Sequence, residues 1–227
     1  MELQLFGINY KTSNVAEREQ FIINESNQII LDNHLKSLFK NDLESFYGIS
    51  TCNRTEIYMV GRPGISKEVF KEVANTLKLD EISEESFYFL ENHDALVHMV
   101  KVASGIDSQV LGEQEIFGQF KAALKRARVH KIIGNKLSFL SDKVIEISKQ
   151  ARTETEIGLN SLSISGLALR LIRNIFEEPE NQNVLILGAG SLAQNVMENM
   201  HSKGISNIKA VNRLSLIHIS EPTRRKR

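Results

Sequence analysis

Two strand-like runs, Ser45–Ser50 and Thr55–Val60, are separated by only four residues, Thr51-Cys52-Asn53-Arg54. So short a link cannot carry a parallel crossover, and it predicts an antiparallel pair joined by a tight turn. That turn holds Cys52, the one cysteine among 227 residues. Leu3–Tyr10 reads as an earlier strand. Thr12, Ser13 and Asn14 offer N-caps for a charged helix from Val15, and a second helix is expected over Gln28–Phe39. Gly61-Arg62-Pro63-Gly64 ends the second run, and a helix is expected over Ser66–Leu77.

From Asn92 the period becomes helical. His93–Ala103, Glu115–Lys131, Lys136–Thr155 and Leu162–Phe176 read as helices, broken at Ser104–Ser108 and at Gly134-Asn135. Asn183–Leu187 reads as a strand of the buried, parallel type. Gly188-Ala189-Gly190 opens the next helix, and Ile208–Val211 is the strand after it. The expected organisation is an α+β domain over 1–156, then a linker helix and the start of an α/β Rossmann dinucleotide-binding domain over 157–213.

A lone cysteine excludes an internal disulfide and the multi-cysteine zinc patterns, and no metal site is expected. No apolar run approaches the ~20 residues of a membrane span. The start, Met1-Glu2-Leu3-Gln4-Leu5, lacks a basic leader region, so a cytoplasmic location is expected. Leu214–Arg224 resembles a translated sequencing adapter, so 214–227 is expected to be a non-native tail. It holds four basic residues and one acid, so 1–213 carries −3 against a whole-chain balance of zero.

A thiol becomes a strong nucleophile as its thiolate, and a nearby cation lowers its pKa. Arg54 stands two residues from Cys52. Asn53 and turn N–H groups can steady an oxyanion, which suits covalent acyl catalysis. The plainer alternative is a small buried hydrophobe.

Ser50-Thr51-Cys52-Asn53-Arg54-Thr55-Glu56 resembles the active-site motif of the glutamyl-tRNA reductase family. Gly7–Thr12, Val102–Glu113 and Arg152–Gly158 carry the resemblance on in the family's order, across nearly all of 1–213. It implies that Cys52 attacks the ester joining glutamate to tRNA and forms a thioester. Hydride from NADPH then releases glutamate-1-semialdehyde, at the start of tetrapyrrole (porphyrin) biosynthesis from glutamate. It further implies a glutamyl pocket lined by Thr51, Asn53 and Arg54, the Arg54 fork suiting a substrate carboxylate. Whether Arg54 does this or activates Cys52 stays open.

The resemblance makes His98 a residue that orients the ester or moves a proton; read alone, it is a surface or satisfied core histidine. Ser108, Glu113, Gln114, Glu115 and Gln119 fall on further substrate-binding positions. The family reads Gly-Glu-Pro-Gln-Ile where this chain has Gly112-Glu113-Gln114-Glu115-Ile116, so a carboxylate replaces an amide donor at Glu115.

The candidate cofactor residues are Gly188, Ala189, Gly190, Ser191, Leu192 and Ala193. The two glycines permit a tight turn and close pyrophosphate approach, and Ala193 permits close helix–strand packing. An ordinary strand–helix turn is the plainer alternative. Arg213, where an acid would hold a ribose 2′-hydroxyl, favours NADPH over NADH. Lys121, Lys125, Arg126, Arg128 and Lys131, followed by Lys136, Lys143, Lys149 and Arg152, form a basic stripe that suits tRNA phosphates or is a solvated surface.

Family members are longer, complete the nucleotide domain and add a helical domain that makes them homodimers. Handover of product to the next enzyme is a further implied partnership. Neither part follows Arg213, so reduction is not expected of 1–213, whereas ester release by the first domain is. The alternatives are a non-catalytic tRNA-binding or regulatory fragment and a different Rossmann dehydrogenase. The Thr51–Arg54 block argues against the latter.

Overall fold

The computed structural model describes residues 1–79, 81–157, 164–188, 190–212 and 215–217. The chain divides into two compact units, Met1–Ser161 and Leu162–Arg227.

In the first unit the order is β1 (Glu2–Asn9), α1 (Val15–Gln20), α2 (Glu25–Leu38), β2 (Leu43–Ser50), β3 (Arg54–Gly61), α3 (Ser66–Leu77), β4 (Tyr88–Glu91), α4 (Asn92–Ser104), α5 (Glu115–Val129) and α6 (Asn135–Glu154). The strands form one antiparallel sheet in the order β2-β3-β1-β4. The hairpin expected from the short link is β2–β3, with Ser50 opposite Thr55. Asn14 caps α1 in a reciprocal box with Glu17, and Asn24 caps α2, which starts before the expected Gln28. β4 was not expected: Tyr88-Phe89-Leu90-Glu91 lacks the period-two alternation that marks a strand.

Because successive strand residues face opposite sides, the sheet separates two apolar layers. Phe6, Ile8, Phe46, Ile57 and Met59 pack with Leu31 and Leu35 of α2 and Val69, Phe70 and Val73 of α3. Leu3, Leu5, Tyr47, Ile49, Tyr58 and Val60 pack with Ala95 and Met99 of α4, Phe120 and Leu124 of α5, and Leu137 and Val144 of α6. Arg54 and Glu56 share the face of Tyr58, so β3 carries two charges into the second layer.

The second unit holds α7 (Ile164–Ile175), β5 (Val184–Leu187), α8 (Ser191–Ser202), β6 (Ile208–Asn212) and β7 (Ser215–Ile217). β5 and β6 pair in parallel, as a βαβ unit requires, while β7 turns back antiparallel on β6. β7 falls in the segment expected to be non-native, so the expected Rossmann start rests on one parallel pair. Leu169, Met200 and Ile205 form the core with Val184 and Ile208. Burial of β5 on both faces is not observed: Leu185 is 60% and Leu187 80% exposed. A parallel strand is buried on both sides only where helices cover both faces, and among the described residues only one face of β5 is covered.

Among the described residues no helix is long and apolar enough to cross a membrane.

Candidate active site

The turn between β2 and β3 is braced from within. The Thr51 N–H donates to the Arg54 carbonyl at 2.8 Å, and Thr51 Oγ1 accepts from the N–H groups of Asn53 and Arg54, each at 3.1 Å. The Tyr10 N–H donates to the Asn53 carbonyl at 2.9 Å and ties the turn to the end of β1. Cys52 is exposed at the tip. Of the turn N–H groups expected to be available to an oxyanion, those of Asn53 and Arg54 are spent on Thr51 Oγ1, the internal acceptor that holds so short a connection.

Arg54 is buried and paired at both edges of its guanidinium. It is 1% exposed. Its Nη1 donates to Glu56 Oε1 at 2.7 Å, and its Nη2 to Asp107 Oδ2 at 3.0 Å and to the Asp107 carbonyl. The cation that lowers the Cys52 thiol is Arg18, whose Nε donates to the Cys52 carbonyl at 3.2 Å. It is outweighed: partial burial, then Glu113, then Glu115 push the thiol above its ordinary value, against its own backbone N–H and Arg18.

Glu56 is the residue that sequence reading passed over. Fully buried, it receives Arg54 Nη1, Tyr88 Oη at 2.5 Å and His98 Nε2 at 2.9 Å, and Tyr58 Oη donates to its other oxygen. Burial alone would raise its carboxyl, but His98, Arg54 and Tyr58 together hold it well below the usual carboxylate range. Burial and this carboxylate push the Tyr58 and Tyr88 phenols upward. His98 is thus fixed by Glu56 and by an edge-to-face contact with Tyr88, ring centroids 5.3 Å apart. The available signal was period two: Arg54, Glu56 and Tyr58 fall on one strand face.

The loop from α4 to α5 brings the remaining candidates up. Gly112 has φ +76, and a Cβ there would collide with the Ile157 carbonyl. Its N–H donates to the Gly105 carbonyl at 2.9 Å. Arg152 of α6 fastens the loop by donating to the carbonyls of Ser104, Gly112 and Glu113 at 2.9, 3.2 and 3.2 Å. The buried Ser108 hydroxyl lacks a partner of good geometry and stands near Glu113. Burial and Glu115 raise the Glu113 carboxyl, against Ser108 and Arg54. Glu115 lies in the first turn of α5, where a carboxylate suits the helix dipole. Gln114 and Gln119 are exposed, Gln119 one turn beyond Glu115. The loop therefore brings Glu113 and Glu115 near enough to raise the Cys52 thiol, while Arg54 links half-buried Asp107 to buried Glu56 and so to His98.

The family described as "Glutamyl-tRNAGlu reductase, N-terminal domain" matches residues 6–155. The chain belongs to the glutamyl-tRNA reductase family. The glutamyl-tRNA reductase of Sulfurihydrogenibium sp. (strain YO3AOP1) is 35% identical over 212 residues, covering 91% of this chain and 47% of that protein. That of Bacillus subtilis (strain 168) is 34% identical over 226 residues, covering 95% and 48%. The solved structure of the glutamyl-tRNA reductase from Methanopyrus kandleri matches with a TM-score of 0.63 at 26% identity, over 93% of this chain and 49% of that one. The chain spans about half the length of the curated relatives it matches.

In the second unit, β5 ends at Leu187 and α8 begins at Ser191. Gly188 has φ +119, and a Cβ at Gly188 or Gly190 would meet no atom within 4 Å. Gly188 and Gly190, just ahead of the α8 N-terminus, leave space of the kind a phosphate group needs. Leu192 is exposed and Ala193 half-buried in the first turn. Ala189 and Arg213, and the side chain of Ser191, lie outside the described residues. Among the described residues no cluster of three or more His, Cys, Asp or Glu side chains could hold a metal ion.

Proposed function

We propose that the chain carries the acyl-transfer machinery of an NADPH-dependent glutamyl-tRNA reductase that makes glutamate-1-semialdehyde for tetrapyrrole synthesis in the cytoplasm. The observation that carries this reading is Cys52, exposed at the tip of an internally braced turn, in a chain of this family. Because the thiol is raised, its proton must leave before attack. Glu113, a carboxylate made more basic by its surroundings and near enough to act on the thiol's charge, accepts that proton.

The Cys52 sulfur attacks the ester carbonyl carbon of the glutamyl group. The carbon–oxygen bond to the tRNA ribose breaks, the proton passes to the ribose oxygen, and the tRNA leaves. The product is a thioester on Cys52. Thr51 and Asn53 line the glutamyl pocket together with Ser108, Gln114, Glu115 and Gln119. Arg54 reaches the substrate carboxylate by exchanging Asp107, its less buried partner at 18% exposure, while Glu56 keeps the other edge of the guanidinium. His98, held by Glu56, orients the acyl group.

The turn at Gly188–Ala193 holds the phosphates of NADPH, which supplies the hydride that releases the aldehyde when bound. Homodimerisation and handover of the aldehyde belong to this reading of the whole protein.

The test is release of deacylated tRNA without NADPH. Release that disappears in Cys52→Ser supports the reading. Equal tRNA binding by both forms with no release supports a non-catalytic tRNA-binding fragment instead.

A further inference from the structure

Beside the loop from α4 to α5, a cleft of about 300 Å³ opens along α5, lined by Gln114, Phe117, Gly118, Lys121 and Arg152. Gln114, between Glu113 and Glu115 in sequence, joins the cleft to the loop that carries the candidate substrate residues Ser108, Glu113 and Glu115. No carboxylate is among its lining residues. Lys121 Nζ lies 4.6 Å and the Arg152 guanidinium 6.0 Å from the Phe117 ring centroid. The Arg152 guanidinium is occupied by loop carbonyls and contributes charge, while Lys121 Nζ lies over the ring without a hydrogen bond among the described residues. Among the described residues neither Lys121 nor Lys125, one turn on, makes an ion pair.

Gly118 points the same way independently. It lies inside α5, where glycine is the poorest helix former after proline. Yet no packing calls for it: a Cβ there would meet nothing within 4 Å. What the missing side chain leaves open is the cleft beside the Phe117 ring.

We propose that this cleft seats the 3′-terminal nucleotides of the substrate tRNA, with a base stacked on Phe117 over Gly118 and its phosphate at Lys121. An aromatic face flanked by cations is the chemistry that binds unpaired nucleotides without reading a duplex. A nucleotide seated there presents its ribose ester toward Glu113 and Cys52, and Lys125 continues the phosphate track along the helix. The inference rests on the tRNA-ester reading and adds where the leaving group is held.

The protein has no tryptophan, so Phe117→Trp places a unique fluorophore in the cleft. Titration of that full chain with the trinucleotide CCA is expected to quench its emission. Adding Gly118→Leu is expected to raise or preserve the melting temperature while weakening the trinucleotide roughly five- to hundredfold, the range carried by one stacked base. Lys121→Ala is expected to weaken binding and to flatten its salt dependence. Should Phe117→Trp fold poorly, a 2-aminopurine-labelled trinucleotide reports the same stacking on the otherwise unaltered chain and on Gly118→Leu. Absence of a stacking signal, or affinity unmoved by Gly118→Leu in a folded chain, overturns the proposal. These signals need no Cys52 chemistry. Quenching without Cys52-dependent tRNA release therefore defeats the acyl-transfer reading alone, and release without quenching defeats the cleft alone.

Discussion

Glu56 lies directly opposite Gly7 in the β1–β3 ladder, and a Cβ on Gly7 would sit 2.7 Å from Glu56 Cγ and 2.6 Å from the Thr55 carbonyl. The missing side chain at Gly7 is what lets a carboxylate stem lie flat inside the sheet layer. Gly7→Ala must therefore displace Glu56 or the β3 backbone, at a cost of ~1–3 kcal/mol. A lowered melting temperature and a shifted His98 ring signal by NMR would show both consequences.

Replacing Glu56 by Gln leaves the buried Arg54 guanidinium without its full countercharge. Breaking a buried pair in this way costs roughly 3–5 kcal/mol, read as a lower denaturation midpoint at pH 7. The pH dependence has a defined sign. The folded carboxyl titrates below its unfolded value of about 4.3, so its stabilisation is complete above that value and is lost as the pH falls below it. Denaturation curves collected downward from pH 6 should show a steeper acid limb in the parent chain than in Glu56→Gln.

The Cys52 thiol gives a second titration. Glu113 and Glu115 raise it and Arg18 lowers it. Glu113→Gln is expected to move the pH midpoint of Cys52 alkylation by iodoacetamide downward, and Arg18→Ala to move it upward. A midpoint indifferent to Glu113 would contradict that carboxylate's influence on the sulfur.

Arg152 fastens three carbonyls of the loop that carries Ser108 and Glu113. Charge-assisted hydrogen bonds contribute roughly 1.5–3 kcal/mol each when buried. Arg152→Met is therefore expected to loosen the loop before it unfolds the domain. Hydrogen exchange should accelerate at Gly112 and Glu113 and stay slow in β1 and β3.

The hairpin, the helices from Asn92 onward and the exposed cysteine were legible because each rests on local chemistry: a short link, helical spacing, a glycine stop. The partners of Arg54 were not. Its nearness in sequence to Cys52 suggested an electrostatic pairing, but in a strand the residue two positions on shares its face, and Glu56 claims the guanidinium. Asp107 reaches Arg54 from a loop 53 residues away, a long-range closure that no local spacing encodes. β4 escaped notice because an edge strand of four residues has too little alternation to declare itself. Burial of β5 was overread because an apolar run states what a strand could bury and not whether a layer covers it. His98 was placed among the active residues by likeness to the family; Glu56, which fixes it, lay unassigned within the same motif.

The proposed reaction passes through a covalent acyl group on Cys52. Incubating the chain with glutamyl-tRNA in the absence of NADPH, quenching in acid and mapping peptides by mass spectrometry tests it directly. The predicted result is one glutamyl unit on the peptide containing Cys52, removed by neutral hydroxylamine and absent from Cys52→Ser. An unmodified Cys52 peptide alongside deacylated tRNA would contradict it, since the ester would then have been cleaved without the sulfur.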